Sequence, residues 1–198
     1  MKPSALLLER WLEAVISVPG LTALRDPVEA RRMLLDDALR AVPLVDELAG
    51  PVVDVGSGGG TPGIPLAASL PDRGVTLVES QRRKCDFLRI WEAELANLRV
   101  VWGRAEEQPT DAYGVALAKA LARPPVAAEL CLPLVQPGGA VLLWVGPDAD
   151  TRGVTAVAER LAAKLDASLP GFLLLRKEGP TPAGFPRRPG MAAKRPLA

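Results

Sequence analysis

The chain has 198 residues and 48% hydrophobic content, which suits one domain with a sizeable core, and only 4% aromatics, so aliphatic side chains must fill that core. The net charge of +1 gives no global preference for or against nucleic acid, and the absence of histidine excludes histidine bases, histidine metal ligands and a Ser-His-Asp triad. Cys85 and Cys131 lie far apart without metal spacing and are expected to be inert core thiols. With no signal peptide and no long apolar span, a reducing cytoplasm and no membrane are expected.

In chain order, Leu6, Leu7, Leu8, Trp11, Leu12, Val15 and Ile16 recur at helical spacing over 4–17, and Pro19-Gly20 stops that helix. Asp26-Pro27 supplies an N-cap and first turn for a second helix over 28–40. Pro43 to Gly50 reads as a connector. From Pro51 onward strands are predicted at 52–55, 75–79, 98–102, 113–118, 140–145 and 172–176. Helices are predicted at 63–69, 82–96, 124–134 and 152–165. This alternation predicts an α/β fold, a mainly parallel sheet with helices on both faces and ligands at the carboxyl ends of the strands. Asp54, Glu79, Glu106 and Lys119 fall at or just past those ends. From Pro180 to Ala198 the chain carries five prolines and Arg187, Arg188, Lys194 and Arg195 without an acid, which predicts an extended basic arm. Such an arm is either a solvated terminus or a phosphate contact.

The stretch from Val52 to Gly63, VVDVGSGGGTPG, carries the chemistry. An apolar strand ends in Asp54 and Val55 and breaks into glycines, which let the backbone turn tightly and approach a ligand closely. A helix and a second strand follow, and Glu79 at that strand's tip is placed to accept hydrogen bonds from ribose hydroxyls. A dinucleotide loop, G-x-G-x-x-G, would need glycine where Thr61 stands. The spacing therefore favours S-adenosylmethionine.

Several segments together resemble the RsmG (GidB) family of bacterial 16S rRNA guanine-N7 methyltransferases. Leu21 to Pro27 is similar to the family's "LTAIRDP", and Leu34-Leu35-Asp36 to its "HLLDS". Asp54 to Leu66 is close to "DVGSGAGFPGIPL", and its Pro-Gly-Ile-Pro part is more specific than the glycines. Glu79-Ser80 with Arg83 to Leu88 resembles "ES..KK..FL", and Arg104 to Glu107 matches "RAEE". Thr181-Pro182, Phe185 to Gly190 and Lys194 to Leu197 resemble "TP..YPRKPG..KKPL". The departures are Met33 for the usual histidine, Asp37 for serine, Lys119 for arginine, and no histidine near Gly171 or Phe172.

The resemblance implies a Rossmann-like class I S-adenosylmethionine-dependent methyltransferase with a helical extension over 1–50, a core over 51–179 and the arm over 180–198. The implied reaction is methyl transfer to N7 of guanine-527, in the usual rRNA numbering, of 16S ribosomal RNA or the small ribosomal subunit. A monomer is expected. Gly56, Thr61, Ala105, Glu106 and Lys119 match the family's cofactor positions; Asp54, Gly58, Gly60 and Glu79 join them from the loop argument. Asp54 orients the loop or approaches the methionine ammonium through water. Arg104 contacts phosphate, buttresses the acidic strand tips or forms a surface ion pair. Arg187, Arg188, Lys194 and Arg195 are the RNA candidates. Arg82, Arg83 and Lys84 face RNA or solvent, and Trp91, Trp102 and Trp144 are expected in the core or pocket walls. The rival readings are a catalytically weak RNA-binding relative, motivated by the departures, and a nucleotide-dependent oxidoreductase, which Thr61 disfavours.

Overall fold

The computed structural model describes residues 3–198. Helix α1 (Pro3–Ser17) turns Trp11, Leu12 and Val15 inward at helical spacing. Helix α2 (Pro27–Ala30) starts as predicted, with the Asp26 carboxylate accepting the Glu29 N–H at 2.8 Å and proline in the first turn. The predicted helix over 28–40 is not uniform. It widens into a π-helical turn over Arg31–Asp36 and returns to α-helix as α3 (Asp37–Leu39). Such wide turns concentrate at functional sites. The expected connector from Pro43 holds a further short helix, α4 (Val42–Asp46), with its proline in the first turn, where a missing N–H costs nothing.

Seven strands form one sheet in the order β3-β2-β1-β4-β5-β7-β6. They are β1 (Val52–Val55), β2 (Val75–Glu79), β3 (Leu98–Trp102), β4 (Tyr113–Ala118), β5 (Val135–Trp144), β6 (Ala163–Leu169) and β7 (Phe172–Lys177). The first five pair in parallel and the last two close the sheet as an antiparallel hairpin. Helices α5 (Gly63–Ser69), α6 (Arg82–Glu92), α7 (Pro124–Cys131) and α8 (Thr151–Arg160) link the strands, and a short α9 (Met191–Lys194) lies near the end of the chain.

Two cores flank the sheet. Leu77, Val115 and Leu117 face α1, α5, α6 and the N-terminal helices, which share this core with the sheet. Val53, Val55, Ala116 and Leu143 face α7 and α8. Strand residues alternate between these faces, so both sides of the parallel strands are apolar.

Three expectations need correction. The predicted helix over 152–165 ends at Arg160; Ala162, at φ +52°, turns the chain, and Ala163 begins a strand whose inward residues alternate with exposed ones. Helix α7 is followed by a 3₁₀ turn (Leu132–Leu134), and β5 starts at Val135, five residues before its predicted start. The C-terminal arm is not extended: it folds back onto α7 and carries α9, with Ala192 buried.

Candidate functional site

The sheet order reverses between β1 and β4, and the glycine loop sits above the carboxyl end of β1, the crevice where open α/β sheets bind ligands. Gly56 and Gly58 adopt φ of +70° and +56°, conformations L side chains rarely take. A Cβ on Gly56 would also run into the Leu121 side chain, so glycine keeps the loop backbone bare at the cleft.

Two acids brace the loop from below. Asp54 is 1% exposed, and its carboxylate accepts the Gly63 N–H at 3.1 Å, while the Ser57 hydroxyl donates to the Asp54 carbonyl at 2.9 Å. Burial pushes the Asp54 carboxyl up to about 7, and the nearby Glu79 charge adds to the rise against the Gly63 hydrogen bond. The Gly63 hydrogen bond ties Asp54 to the far end of the loop. Glu79, at the tip of β2, accepts the Gly58 N–H at 3.0 Å on one oxygen and the Gln81 N–H at 2.7 Å on the other. It therefore joins the loop to the start of α6. A carboxylate has about four acceptor positions, so these bonds leave capacity for ligand hydroxyls.

The N-terminal extension braces the same loop from the opposite side, a role the sequence did not reveal. The buried Trp11 indole donates to the Gly59 carbonyl at 2.9 Å. The Thr61 hydroxyl donates to the Leu34 carbonyl, in the π-helical turn, at 2.7 Å. Thr61 thus anchors the loop to the extension.

Two cavities open at this edge of the sheet. A cleft of about 140 Å³ is lined by Gly56, Ser80, Arg104, Ala105, Glu106 and Leu121, with Gly190 and Ala192 of the C-terminal segment. It gathers four of the sequence candidates. A larger cavity, about 650 Å³, lies between the π-helical turn and the ends of β4 and β5; Arg32, Met33, Asp37, Lys119 and Trp144 line it. Lys119 is therefore apart from the smaller cleft. Its ammonium donates to Asp37 Oδ2 at 2.8 Å; Arg40 donates to Asp37 Oδ1 at 2.9 Å, and the Trp144 indole to the Asp37 carbonyl at 3.4 Å. Asp54, Gly58, Gly60, Thr61 and Glu79 line neither cavity; they form the glycine loop and the strand ends that hold it.

The tryptophans divide. Trp91 is buried and Trp144 forms a cavity wall, but Trp102 is 55% exposed, with its indole donating to the Ser80 carbonyl at 3.0 Å and Arg82 stacked 5.5 Å from the ring. It sits at the exposed tip of the edge strand β3, beside the start of α6. Both cysteines are buried, and burial raises each thiol above its usual range.

The four basic candidates of the C-terminal segment also divide. Arg188, Lys194 and Arg195 are exposed. Arg187 is committed: its guanidinium grips Glu129 of α7 through Nε to Oε1 at 2.6 Å and Nη2 to Oε2 at 2.7 Å. The expected role of Arg187 is to hold phosphate; here its Nε and Nη2 are engaged by the buried Glu129 carboxylate.

Residues 7–165 match the GidB family, rRNA small subunit methyltransferase G. The chain belongs to this family. Among GidB relatives, it is 39% identical to the ribosomal RNA small subunit methyltransferase G of Pelotomaculum thermopropionicum, across 80% of this chain and 74% of that protein. It is 35% identical to the protein of the same name from Symbiobacterium thermophilum, across 96% and 86%. Among solved structures, the T. thermophilus 16S rRNA N2 G1207 methyltransferase (RsmC), in complex with AdoMet and guanosine, matches at TM-score 0.53 and 18% identity, over 84% of this chain and 42% of that one. M. jannaschii TYW2 in complex with AdoMet matches at 0.54 and 15%, over 70% and 71%. At these identities the likeness establishes the fold, the Rossmann-like sheet of class I methyltransferases. No helix among the described residues is long and apolar enough to cross a membrane.

Proposed function

We propose that this GidB-family chain transfers the methyl group of S-adenosylmethionine to N7 of a guanine in 16S ribosomal RNA, acting in the cytoplasm as a monomer. One observation carries the reading: the bare glycine backbone, the acidic tip of β2 and the Ala105-Glu106 turn converge at the switch point of the sheet. At Gly56 the wall of the cleft is bare backbone, and a Cβ there would meet Leu121, so the residues present suit a ligand held close to the chain. Gly56, Ala105 and Glu106 hold the adenosyl part, with Glu79 at the ribose, and Gly58, Gly60 and Thr61 set the shape of the loop. S-adenosylmethionine, when bound, supplies an electrophilic methyl on a sulfonium.

Guanine N7 carries a free lone pair in the neutral base, so the reaction needs no general base. That agrees with a chain that contains no histidine. What the protein contributes is approach and orientation, which can remove a large part of a bimolecular barrier. Asp54 and Glu79 fix the loop, and Lys119, paired with Asp37 in the wall of the larger cavity, lies in a lining that also carries Arg32 and Arg40, a surface suited to an anionic substrate. Arg104 lies exposed beside the smaller cleft, open to a phosphate.

The test is methyl transfer by the full chain to purified small subunits and to naked 16S rRNA, read by mass mapping of the RNA. A single N7-methylguanine is expected, with S-adenosylhomocysteine raising the melting temperature of the protein. The reading is overturned if neither substrate gains a methyl group and NAD, rather than S-adenosylhomocysteine, stabilises the fold.

A further inference from the structure

We infer that the ion pair between Arg187 and Glu129 is a positioning element of the cofactor cleft: it holds the C-terminal segment in place as one wall of that cleft. The identity of the ligand rests on the methyl-transfer reading above; the wall itself rests on the geometry alone.

Glu129 is 4% exposed on α7, one residue before Leu130, which lines the cleft. A carboxylate this deep is costly unless its oxygens are paired, and the Arg187 fork satisfies both. The same guanidinium donates from Nη2 to the Arg195 carbonyl at 2.9 Å. One side chain therefore ties together both ends of the stretch that carries α9. Inside that stretch the Gly190 N–H donates to Glu106 Oε1 at 2.8 Å, Ala192 is buried, and Gly190, Ala192 and Ala193 face Gly56 and Ala105 across the cleft. Upstream, the Thr181 N–H and hydroxyl both donate to the Asp111 carboxylate, and the buried Lys177 ammonium donates to the Thr181 hydroxyl at 3.0 Å. The segment is thus tethered before and after the stretch that meets the cleft.

A side chain held this way has its Nε and Nη2 donors committed to the protein. Removing the fork leaves Glu129 unpaired in a buried site and frees the Arg195 end of the stretch. The wall then departs, and a ligand in the cleft loses contact on one side. The loss falls on cofactor binding, whereas RNA binding depends on the exposed Arg188, Lys194 and Arg195.

The experiment measures S-adenosylhomocysteine binding by calorimetry, and the Michaelis constants for S-adenosylmethionine and for RNA, in the full chain. Arg187→Ala should weaken S-adenosylhomocysteine by roughly ten- to a hundredfold, less than the full loss of a buried charge partner because the Arg187 side chain is 21% exposed and acts on the ligand only through the wall. The Michaelis constant for the cofactor should rise in parallel, and by more than that for RNA, because Arg188, Lys194 and Arg195 stay on the chain and lose only their fixed place. Arg187→Lys, which keeps the charge but not the fork, should recover only part of the loss. Arg187→Leu combined with Glu129→Leu removes the unpaired buried charge and keeps the variant folded, yet should still bind weakly because the tie to Arg195 is gone. Hydrogen exchange at Gly190 should be slow in the wild type, slower with S-adenosylhomocysteine, and fast in each variant. The inference is overturned if folded variants bind S-adenosylhomocysteine normally, or if the RNA constant alone rises. A wild-type chain that ignores S-adenosylhomocysteine would instead overturn the methyl-transfer reading, while Gly190 exchange would still report on the wall.

Discussion

Asp54→Asn should change how stability depends on pH, by an amount that the structure sets. The Asp54 carboxyl is buried beneath the glycine loop and is pushed from the ordinary 3.8 up to about 7, first by loss of water and then by the charge of Glu79. Its folded pKa lies above its unfolded one, so the folded state binds the extra proton between those values. The stabilising contribution is full below about pH 3.8 and is lost as the pH rises to about 7. A gap of roughly three units at 1.36 kcal/mol per unit amounts to about 4 kcal/mol. Asparagine keeps an oxygen for the Gly63 N–H and cannot titrate, so it isolates this effect. Urea unfolding of both proteins at several pH values provides the assay. The stability of wild type minus that of the variant should fall by about 4 kcal/mol between about pH 4 and pH 8, leaving the variant the more stable protein at the alkaline end. A flat difference would refute the reasoning, since it would mean that the buried carboxyl ionises as if in water.

Two further predictions concern the braces of the site. Trp11→Phe removes the donor to the buried Gly59 carbonyl and should cost about 1–3 kcal/mol in urea unfolding, with weaker S-adenosylhomocysteine binding; unchanged values of both would show that the loop stands without α1. Lys119→Ala should reduce methyl transfer strongly and Lys119→Arg should preserve or raise it; full activity of the alanine variant at saturating cofactor and limiting RNA would make the ammonium a bystander.

The parts of the molecule that could be read from sequence are those whose signals are local. Strands β1 to β4 were delimited to the residue because each is a short, mainly apolar run with glycine, proline or a charge at or just past at least one end, and the loop was legible because its glycines cluster directly after β1. Strand β6 was missed because α8 ends without glycine or proline: the left-handed turn is made by Ala162, which looks like a helix former. The start of β5 was missed because Pro137-Gly138-Gly139 reads as a turn, although the strand runs through it. The remaining omissions share one cause. Trp11 and Gly59 are 48 residues apart, Arg187 and Glu129 are 58, and Lys119 and Asp37 are 82. No periodicity or spacing rule reaches across such distances, so the second role of the N-terminal helices and the C-terminal segment, as walls and braces of the site, became visible only in three dimensions.

Asp37 and Lys119 show what such contacts add. Taken singly, each looked like a departure that weakens the site: an acid in place of a hydroxyl, and a point charge in place of a fork. In the structure they meet. Lysine has three rotatable donors on a flexible stem and needs an anion to fix its position. Asp37 supplies that anion from the end of the π-helical turn, and Arg40 holds its second oxygen. The pair is only partly exposed, at 12% and 23% of the two side chains, so it is less screened than a surface ion pair. It also links the N-terminal helices to the end of β4, and the Trp144 indole extends the link to β5. The larger cavity lies between these elements, so its shape depends on the contact. Replacing either residue alone toward the family's usual choice therefore changes a junction of three elements, and the two positions have to be read as one unit.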